Sequence, residues 1–348
     1  MTAAPKVLMC SYGGGHSKVI IPLAKALLDQ GFQVDLIGFT TAYQEFLRAG
    51  LPARSVETML DPSADAEYLE MARRLAPKTG HPNITERETL AYTALGLRDL
   101  ALAHGAEEAE ALFKARGRFV FEPVESAKRA LAASAPDLVI ATTSPRMELA
   151  FLRAAKAMGL PNLAIANQFI IDERAWVLSD TYADHLAVMC QEVAESLGPE
   201  NTLPFSVQVT GSPAFDPLAE LSGDTARRET LRKKLGIAPD EVVLLWPLNN
   251  ATAARTGEAF VPPEKLVEVF ENLCLANPRL RYILRKHPNS PDAAPKGMVR
   301  GLFDRGEMSM GESLLVADKL CGEMSTVLLE GMLLGKPVAC YGFTDYSP

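Results

Sequence analysis

The sequence predicts an α/β protein built from two doubly wound parallel sheets, and three observations point there. A strand, glycine loop, helix and second strand open the chain as "KVLMC", "SYGGGHSKVIIPLAKALLDQG" and "FQVDLIGF". Short apolar runs then alternate with helix-spaced segments through most of the remainder. The length of 348 residues suits two domains of ordinary size.

The elements follow in order. After "LIGF", the stretch "TTAYQEFLRAGL" reads as a short helix. Residues 55–135 are rich in Ala, Glu, Arg and Leu, with almost no strand-like run. "DAEYLEMARRLA", "ERETLAYTALGLRDLALAHGAEEAEALFKARG" and "FEPVESAKRALAAS" are expected to be helices of an insertion covering one sheet face. "PDLVIATT" is a buried strand, "RMELAFLRAAKAMG" a helix and "LPNLAIANQF" a strand. "HLAVMC" is expected to be the last strand of the first half, followed by the helix "QEVAESLG". Turn residues in "LGPENTLPFS" place the boundary between about 196 and 208, giving domains 1–200 and 201–348. The second half is then expected to open with the strand in "FSVQVTGSPAFDPL". It continues with the basic helix "TARRETLRKKLGI", the strand "EVVLLWPLNNA", the helix "PEKLVEVFENLCLAN" and the strand "LRYILRKHPN". "ESLLVADKLCGEMSTVLLEGMLLGKPVACYG" supplies a helix, a strand, a turn, a helix and a final strand.

Composition excludes several classes. Apolar residues make up 48% and charged residues 22%, a normal globular balance. A net charge of −8 argues against nucleic acid as a partner. The five cysteines, at 10, 190, 274, 321 and 340, form no CxxC pair. They suit a reduced, cytoplasmic protein rather than a disulfide framework or zinc site. No apolar run reaches the ~20 residues of a membrane span, and "MTAAPKVLMC" lacks the shape of a signal peptide. The basic helix could touch an anionic membrane surface or be only a solvated face.

Ligands in open α/β sheets bind beyond the carboxyl ends of the strands, so loops there are the candidate site. The loop "GGGHS" has neither the G-x-G-x-x-G spacing nor a Gly-Lys-Ser/Thr. Its glycines, Gly14 and Gly15 among them, let a ligand approach the backbone, and the helix N-terminus suits an anion. A tight turn alone would use the same residues. In the second half, Arg285, Lys286 and His287 stand at a strand's end before Pro288, three potential cations for a phosphate. Ser325 and Thr326 open the helix "TVLLEGMLLG", where hydroxyls cap the helix or bind an anion. Glu330, one turn further, could accept two ribose hydroxyls. Asn249 and Asn250 follow another strand on the same side.

The order "TGSPAFD", apolar strand, "RKHP", then "GEMSTVLLEGMLLGKPV" resembles the C-terminal half of GT-B fold glycosyltransferases. It is similar to the HP and Ser-Ser motifs of bacterial surface-polysaccharide enzymes: sialic acid and Kdo transferases and teichoic-acid glycerophosphotransferases. "GGGHS" resembles the glycine loop of the lipid-linked N-acetylglucosaminyltransferase of peptidoglycan synthesis, and "GKPV" recurs in UDP-N-acetylglucosamine 2-epimerases. The resemblance implies two Rossmann-like domains facing across a cleft. It implies that His287, Ser325 and Thr326 contact the donor phosphate and that Glu330 holds the ribose. Met308 to Met310 would lie against the base. Gly14, Gly15 and His16 would face the reaction centre.

There are departures. Where epimerases of this fold carry carboxylates, this chain has Thr142, Thr143 and Asn167, and "PLNN" stands where "HRRE" is expected. Family members continue into further helices, whereas this sequence stops at "FTDYSP"; either those helices are absent or the sequence is truncated.

These readings imply a metal-independent, inverting glycosyltransferase of polysaccharide biosynthesis. It would move a sugar from a nucleotide-activated donor to a glycan or small-molecule acceptor. The rivals are a CDP-linked glycerophosphotransferase, a sugar-nucleotide epimerase or hydrolase, and a non-catalytic binding partner. No D-x-D motif is present, so no metal and no cofactor are expected. His16 is the first candidate for the acceptor base; its other roles would be a bond to the donor or a helix cap. Asp172 and Glu173 are the next candidates. Arg146 binds acceptor or lies at the surface.

Overall fold

The computed structural model describes residues 4–248, 262–287, 292–323 and 325–340. The chain divides into two compact units, residues 1–214 and 215–348.

The described strands of unit 1 form one parallel sheet in the order β3-β2-β1-β4-β5-β6-β7. They are β1 (Lys6–Ser11), β2 (Gln33–Gly38), β3 (Ala53–Ser55), β4 (Leu138–Thr142), β5 (Asn162–Ile165), β6 (His185–Val188) and β7 (Ser206–Val209). Side chains of a strand alternate between faces, and β1 shows it. Val7 and Met9 join the core against α1 (Gly15–Asp29) and α2 (Ala42–Arg48), while Leu8 and Cys10 join the core on the opposite face. Burying each such large side chain contributes about 1.5–3 kcal/mol.

The helical insertion forms as expected. It comprises α3 (Ala66–Leu75), α4 (Glu86–His104), α5 (Ala106–Arg116) and α6 (Val124–Ser134). The sequence suggested one helix across 86–117. The structure breaks it at Gly105, whose φ of +86° ends α4 and starts α5. α4 begins with a capping box, in which Thr85 and Glu88 satisfy each other's backbone N–H groups. The other connections are α7 (Met147–Ala157), α8 (Arg174–Val177) and α9 (Gln191–Leu197).

The expected boundary at 200/201 needs correction. β7 was assigned to the second half, but it pairs with β6 from His185↔Ser206 to Val188↔Val209. It therefore completes the first sheet, and "HLAVMC" is not that sheet's last strand. A four-residue strand does not reveal from its own sequence which sheet edge it extends.

Unit 2 carries α10 (Asp216–Leu221), α11 (Thr225–Lys234), β8 (Val242–Pro247), α12 (Pro263–Ala276), β9 (Leu280–Arg285) and β10 (Gly301–Asp304). It ends with α13 (Met310–Val316), β11 (Lys319–Gly322), α14 (Thr326–Leu333) and β12 (Val338–Cys340). Its described strands are parallel, in the order β10-β9-β8-β11-β12. The basic helix α11 is not a plain solvated face. Arg232 is buried and donates to Asp318 (2.9 Å) and to three backbone carbonyls, Arg228 also pairs with Asp318, and Arg227 reaches Glu312. That commitment leaves fewer charges for contact with an anionic membrane surface, the alternative to a solvated face.

In each sheet the chain reverses direction of travel beside the central strand, between β1 and β4 and between β8 and β11. The loops after those strands flank a crevice at the carboxyl edge, where α/β sheets hold ligands.

Candidate functional site

In unit 1, two loops meet at the β1/β4 crevice. Gly14 takes φ +71° and ψ −126°, which a side chain would strain, and so starts α1 sharply. His16 then lies in the first turn of α1. Its Nδ1 is 2.6 Å from Thr142 Oγ1, at the end of β4. Thr142 in turn meets Glu148, near the start of α7: its N–H donates to Oε2 at 2.7 Å and its hydroxyl donates to the same oxygen. The other oxygen, Oε1, accepts the Tyr12 N–H at 2.7 Å. When Glu148 is ionised, both its carboxyl oxygens act as acceptors, the Thr142 hydrogen points to Glu148, and the hydroxyl oxygen accepts from His16 Nδ1–H, leaving the lone pair on Nε2.

The electrostatics agree with a neutral imidazole. Burial, helped by the Arg146 guanidinium, lowers the His16 pKa to about 4. Burial raises Glu148 to about 7, against the hydrogen bonds from Thr142 and Tyr12.

Arg146 sits beside this chain of bonds. It is a non-glycine residue at φ +68°, and strained backbone of this kind clusters at functional sites. Its guanidinium lies 5.4 Å from the Tyr12 ring centre and 5.7 Å from that of Phe119. Its Nε is buried with no hydrogen-bond partner. The Tyr12 hydroxyl meets that of Tyr92 at 2.5 Å.

The glycine loop itself corrects one expectation. The Glu45 carboxyl accepts the Gly14 N–H at 3.2 Å and also the Ser17 hydroxyl. A protein carboxylate therefore already neutralises this helix N-terminus, so the loop is not arranged to hold an anion. Gly15 lies against Asn167, whose Oδ1 accepts from the Thr143 hydroxyl at 3.2 Å. Asp172 and Glu173 lie on the loop entering α8. Asp172 is exposed, and burial raises the Glu173 carboxyl pKa. Trp176 Nε1 ties α8 to the Thr143 carbonyl at 3.0 Å.

In unit 2, the carboxyl ends of β9, β8 and β11 are adjacent, which brings "RKH" and the start of α14 to one edge. The expected triple cation is not there. Arg285 turns inward, pairs with Asp304 and donates to Ser313 Oγ (2.8 Å) and the Met308 carbonyl (2.9 Å). Lys286 pairs with Asp292, and burial followed by Lys286 lowers the His287 pKa, favouring a neutral ring. Buried cations are stable only when paired, so an arginine next to Asp304 folds inward rather than waiting for ligand. Met308 has both backbone groups engaged, with Arg285 and Asp304. Met310 opens α13 behind the Ser309–Glu312 capping box. Ser325 caps α14, accepting the Val327 N–H at 3.3 Å. Thr326 is exposed at the first helical position, and Glu330 is buried within α14. Asn249, Asn250 and Pro288 lie outside the described residues.

The sequence reading missed Glu148, Glu45 and Tyr12. An acid in the first turn of a helix already has a reason to be there, the helix dipole. Glu148 gave no other signal until its strand partner was known. Among the described residues, no group of three His, Cys, Asp or Glu could hold a metal ion, and no helix is long and apolar enough to cross a membrane.

No protein-family model matches the sequence, and no curated protein matches it either. Solved structures do resemble it. The MnaA–UDP structure from S. aureus is 13% identical with a TM-score of 0.59, covering 96% of this chain and 78% of that one. The UDP-GlcNAc 2-epimerase from Neisseria meningitidis, bound to UDP-GlcNAc, is 14% identical with a TM-score of 0.58, covering 96% and 81%. The glycosyltransferase SnogD from Streptomyces nogalater is 17% identical with a TM-score of 0.51, covering 97% and 82%. The chain has a GT-B fold. At these identities the fold is what is shared.

Proposed function

We propose that the chain is an inverting glycosyltransferase using a nucleotide-activated sugar. The observation that carries this reading is the His16–Thr142–Glu148 chain at the unit 1 switch point. It holds His16 as a neutral imidazole, the form a general base needs, with a pKa of about 4 that makes it a weak base. As the acceptor oxygen bonds to the anomeric carbon, its proton passes to Nε2. The bond from that carbon to the donor phosphate breaks, and the phosphate leaves with the electron pair. Taken by itself, unit 2 carries groups suited to a phosphate: the N-terminus of α14 with Ser325 and Thr326, and the ring of His287. These take the part a metal plays elsewhere.

The names of the structural neighbours support a nucleotide-sugar substrate, and the UDP in the MnaA structure makes UDP the first nucleotide to try. An epimerase is the second reading, because several neighbours are UDP-GlcNAc 2-epimerases. It is less favoured: Glu148 is fully buried and fully engaged, so it is poorly placed to take a proton from a sugar carbon. The test is thermal shift with CMP, CDP, UDP, GDP and dTDP, with and without EDTA. The expected result is one nucleotide that raises Tm regardless of EDTA and loses its effect in His287→Ala. No shift with any nucleotide would refute the reading. Conversion of UDP-GlcNAc to its 2-epimer would replace it with the rival.

A further inference from the structure

We infer that the helical insertion of unit 1 binds a small apolar molecule carrying one anionic group, at a site separate from His16. The inference stands without the transferase reading.

The insertion encloses a cavity of about 480 Å³, a volume typical of small-molecule sites. Its lining runs from buried to exposed. Val56, Tyr92 and Phe113 are buried walls, and Leu75 and Ile84 are half-buried. The polar atoms beside them are already engaged: the Tyr92 hydroxyl with that of Tyr12, the Thr89 hydroxyl with that of Thr79, and the Thr93 hydroxyl with the Thr89 carbonyl. Glu88 is the one acid of the lining, and it is 2% exposed. Its Oε2 accepts from the Thr85 N–H and hydroxyl at 2.8 and 2.9 Å, and its Oε1 is buried away from solvent. Glu88 therefore presents no charge to a ligand, and these walls suit an apolar body.

The exposed part of the lining carries charge of one sign. Lys114, Arg116 and Arg118 contribute to it from the end of α5 and the turn that follows. Lys114 pairs with Glu110, whereas neither Arg116 nor Arg118 pairs with an acid among the described residues. Phe119 comes next at 74% exposure, a large ring left open to water at the rim. Two unpaired guanidinium groups and an exposed ring thus lead into an apolar interior. A guanidinium presents paired N–H groups that match a carboxylate, so the rim favours an anion and disfavours an amine. The ligand is therefore amphipathic, with its apolar body inside and its charge at the rim. His16 does not line the cavity, so this molecule binds in addition to whatever the His16 site takes.

The test uses the full chain and two probes of one shape, 2-naphthoate and the neutral 2-naphthamide, with binding followed by calorimetry. The expected result is about tenfold tighter binding of the naphthoate at low salt, from two guanidinium partners at an exposed rim. Screening should cut that preference to under about threefold in roughly 0.5 M NaCl. The double variant Arg116→Gln, Arg118→Gln should abolish the preference and leave naphthamide binding as it was. Ile84→Trp adds bulk to the cavity from a half-buried position and should weaken both probes at least tenfold. Leu75→Trp does the same from another wall, so one of the two carries this arm if the other fails to fold by circular dichroism. Four results overturn the proposal: no naphthoate binding at about 1 mM, equal binding of the two probes, a preference unchanged in the double variant, or binding unaffected by a folded Trp variant. Competition between naphthoate and UDP would also overturn it, since it would place the probe in a nucleotide site.

Discussion

Thr142→Val removes one hydroxyl and little else. In the native chain that hydroxyl accepts from His16 Nδ1 at 2.6 Å and donates to Glu148. The backbone N–H of residue 142 still reaches Glu148 in the variant, and Tyr12 still satisfies Oε1. The loss therefore falls on His16, whose Nδ1 hydrogen is left in a partly buried place without an acceptor. Leaving such a donor unpaired costs about 1–3 kcal/mol, which corresponds to a fall in Tm of about 2–12 °C for a unit of this size. The tautomer should change as well, because nothing else named at the site holds the proton on Nδ1. Nitrogen-15 NMR of the imidazole reads this directly and needs no substrate. The native protein should show a protonated Nδ1, a bare Nε2 and a titration near pH 4. The Val variant should show a mixture of tautomers, and Thr142→Ser should restore the native pattern. A native His16 protonated on Nε2, or a Val variant of native stability and tautomer, would refute the reasoning.

Two further outcomes are expected. His16 has a lowered pKa, so its stabilising contribution is complete above about pH 6.5 and is lost as pH falls towards 4; Glu148, raised to about 7, contributes below about 4.5 and loses that contribution as pH rises through 7. The slopes oppose each other between about pH 4.5 and 6.5, so these two residues leave native stability nearly level there, whereas His16→Gln should lose stability with rising pH; urea unfolding across that range decides it. In unit 2, the Arg285 side chain is 13% exposed and that of Asp304 2%, so Arg285→Ala strands a buried carboxylate and should cost about 3–5 kcal/mol in urea unfolding. Lys286→Ala loses only a pair to the exposed Asp292 and should cost under about 1 kcal/mol; equal effects would contradict the assignment.

Much of the fold was legible because apolar runs and helical spacing are local signals. "KVLMC", "PDLVIATT" and "EVVLLWP" each became the strand they promised. The three-residue β3 and the four-residue β10 were too short to show a period, and Gly105 hid inside an otherwise helical stretch. The candidate site was legible only in part. His16, Ser325 and His287 announce themselves by the loops that hold them. Their partners do not: Glu148 meets Thr142 across the mouth of β4, and Asp304 meets Arg285 from a neighbouring strand. Charge read along a sequence overstates what a site has to offer, because folding pairs part of it. Arg285 and Glu45 are two such cases.

The position of β7 also bears on how the protein is made. β1 lies inside the first sheet and precedes the sheet's other described strands in the chain, yet its partner β4 begins at residue 138. Until β4 arrives, one long side of β1 has no backbone partner. The edge of β6 likewise stays open until residues 206–209 have been synthesised. Unpaired strand edges are templates for association between nascent chains. Unit 1 is therefore exposed to this hazard through most of its own translation, with the helices α3 to α6 appearing in the interval as cover for one face of a still unfinished sheet.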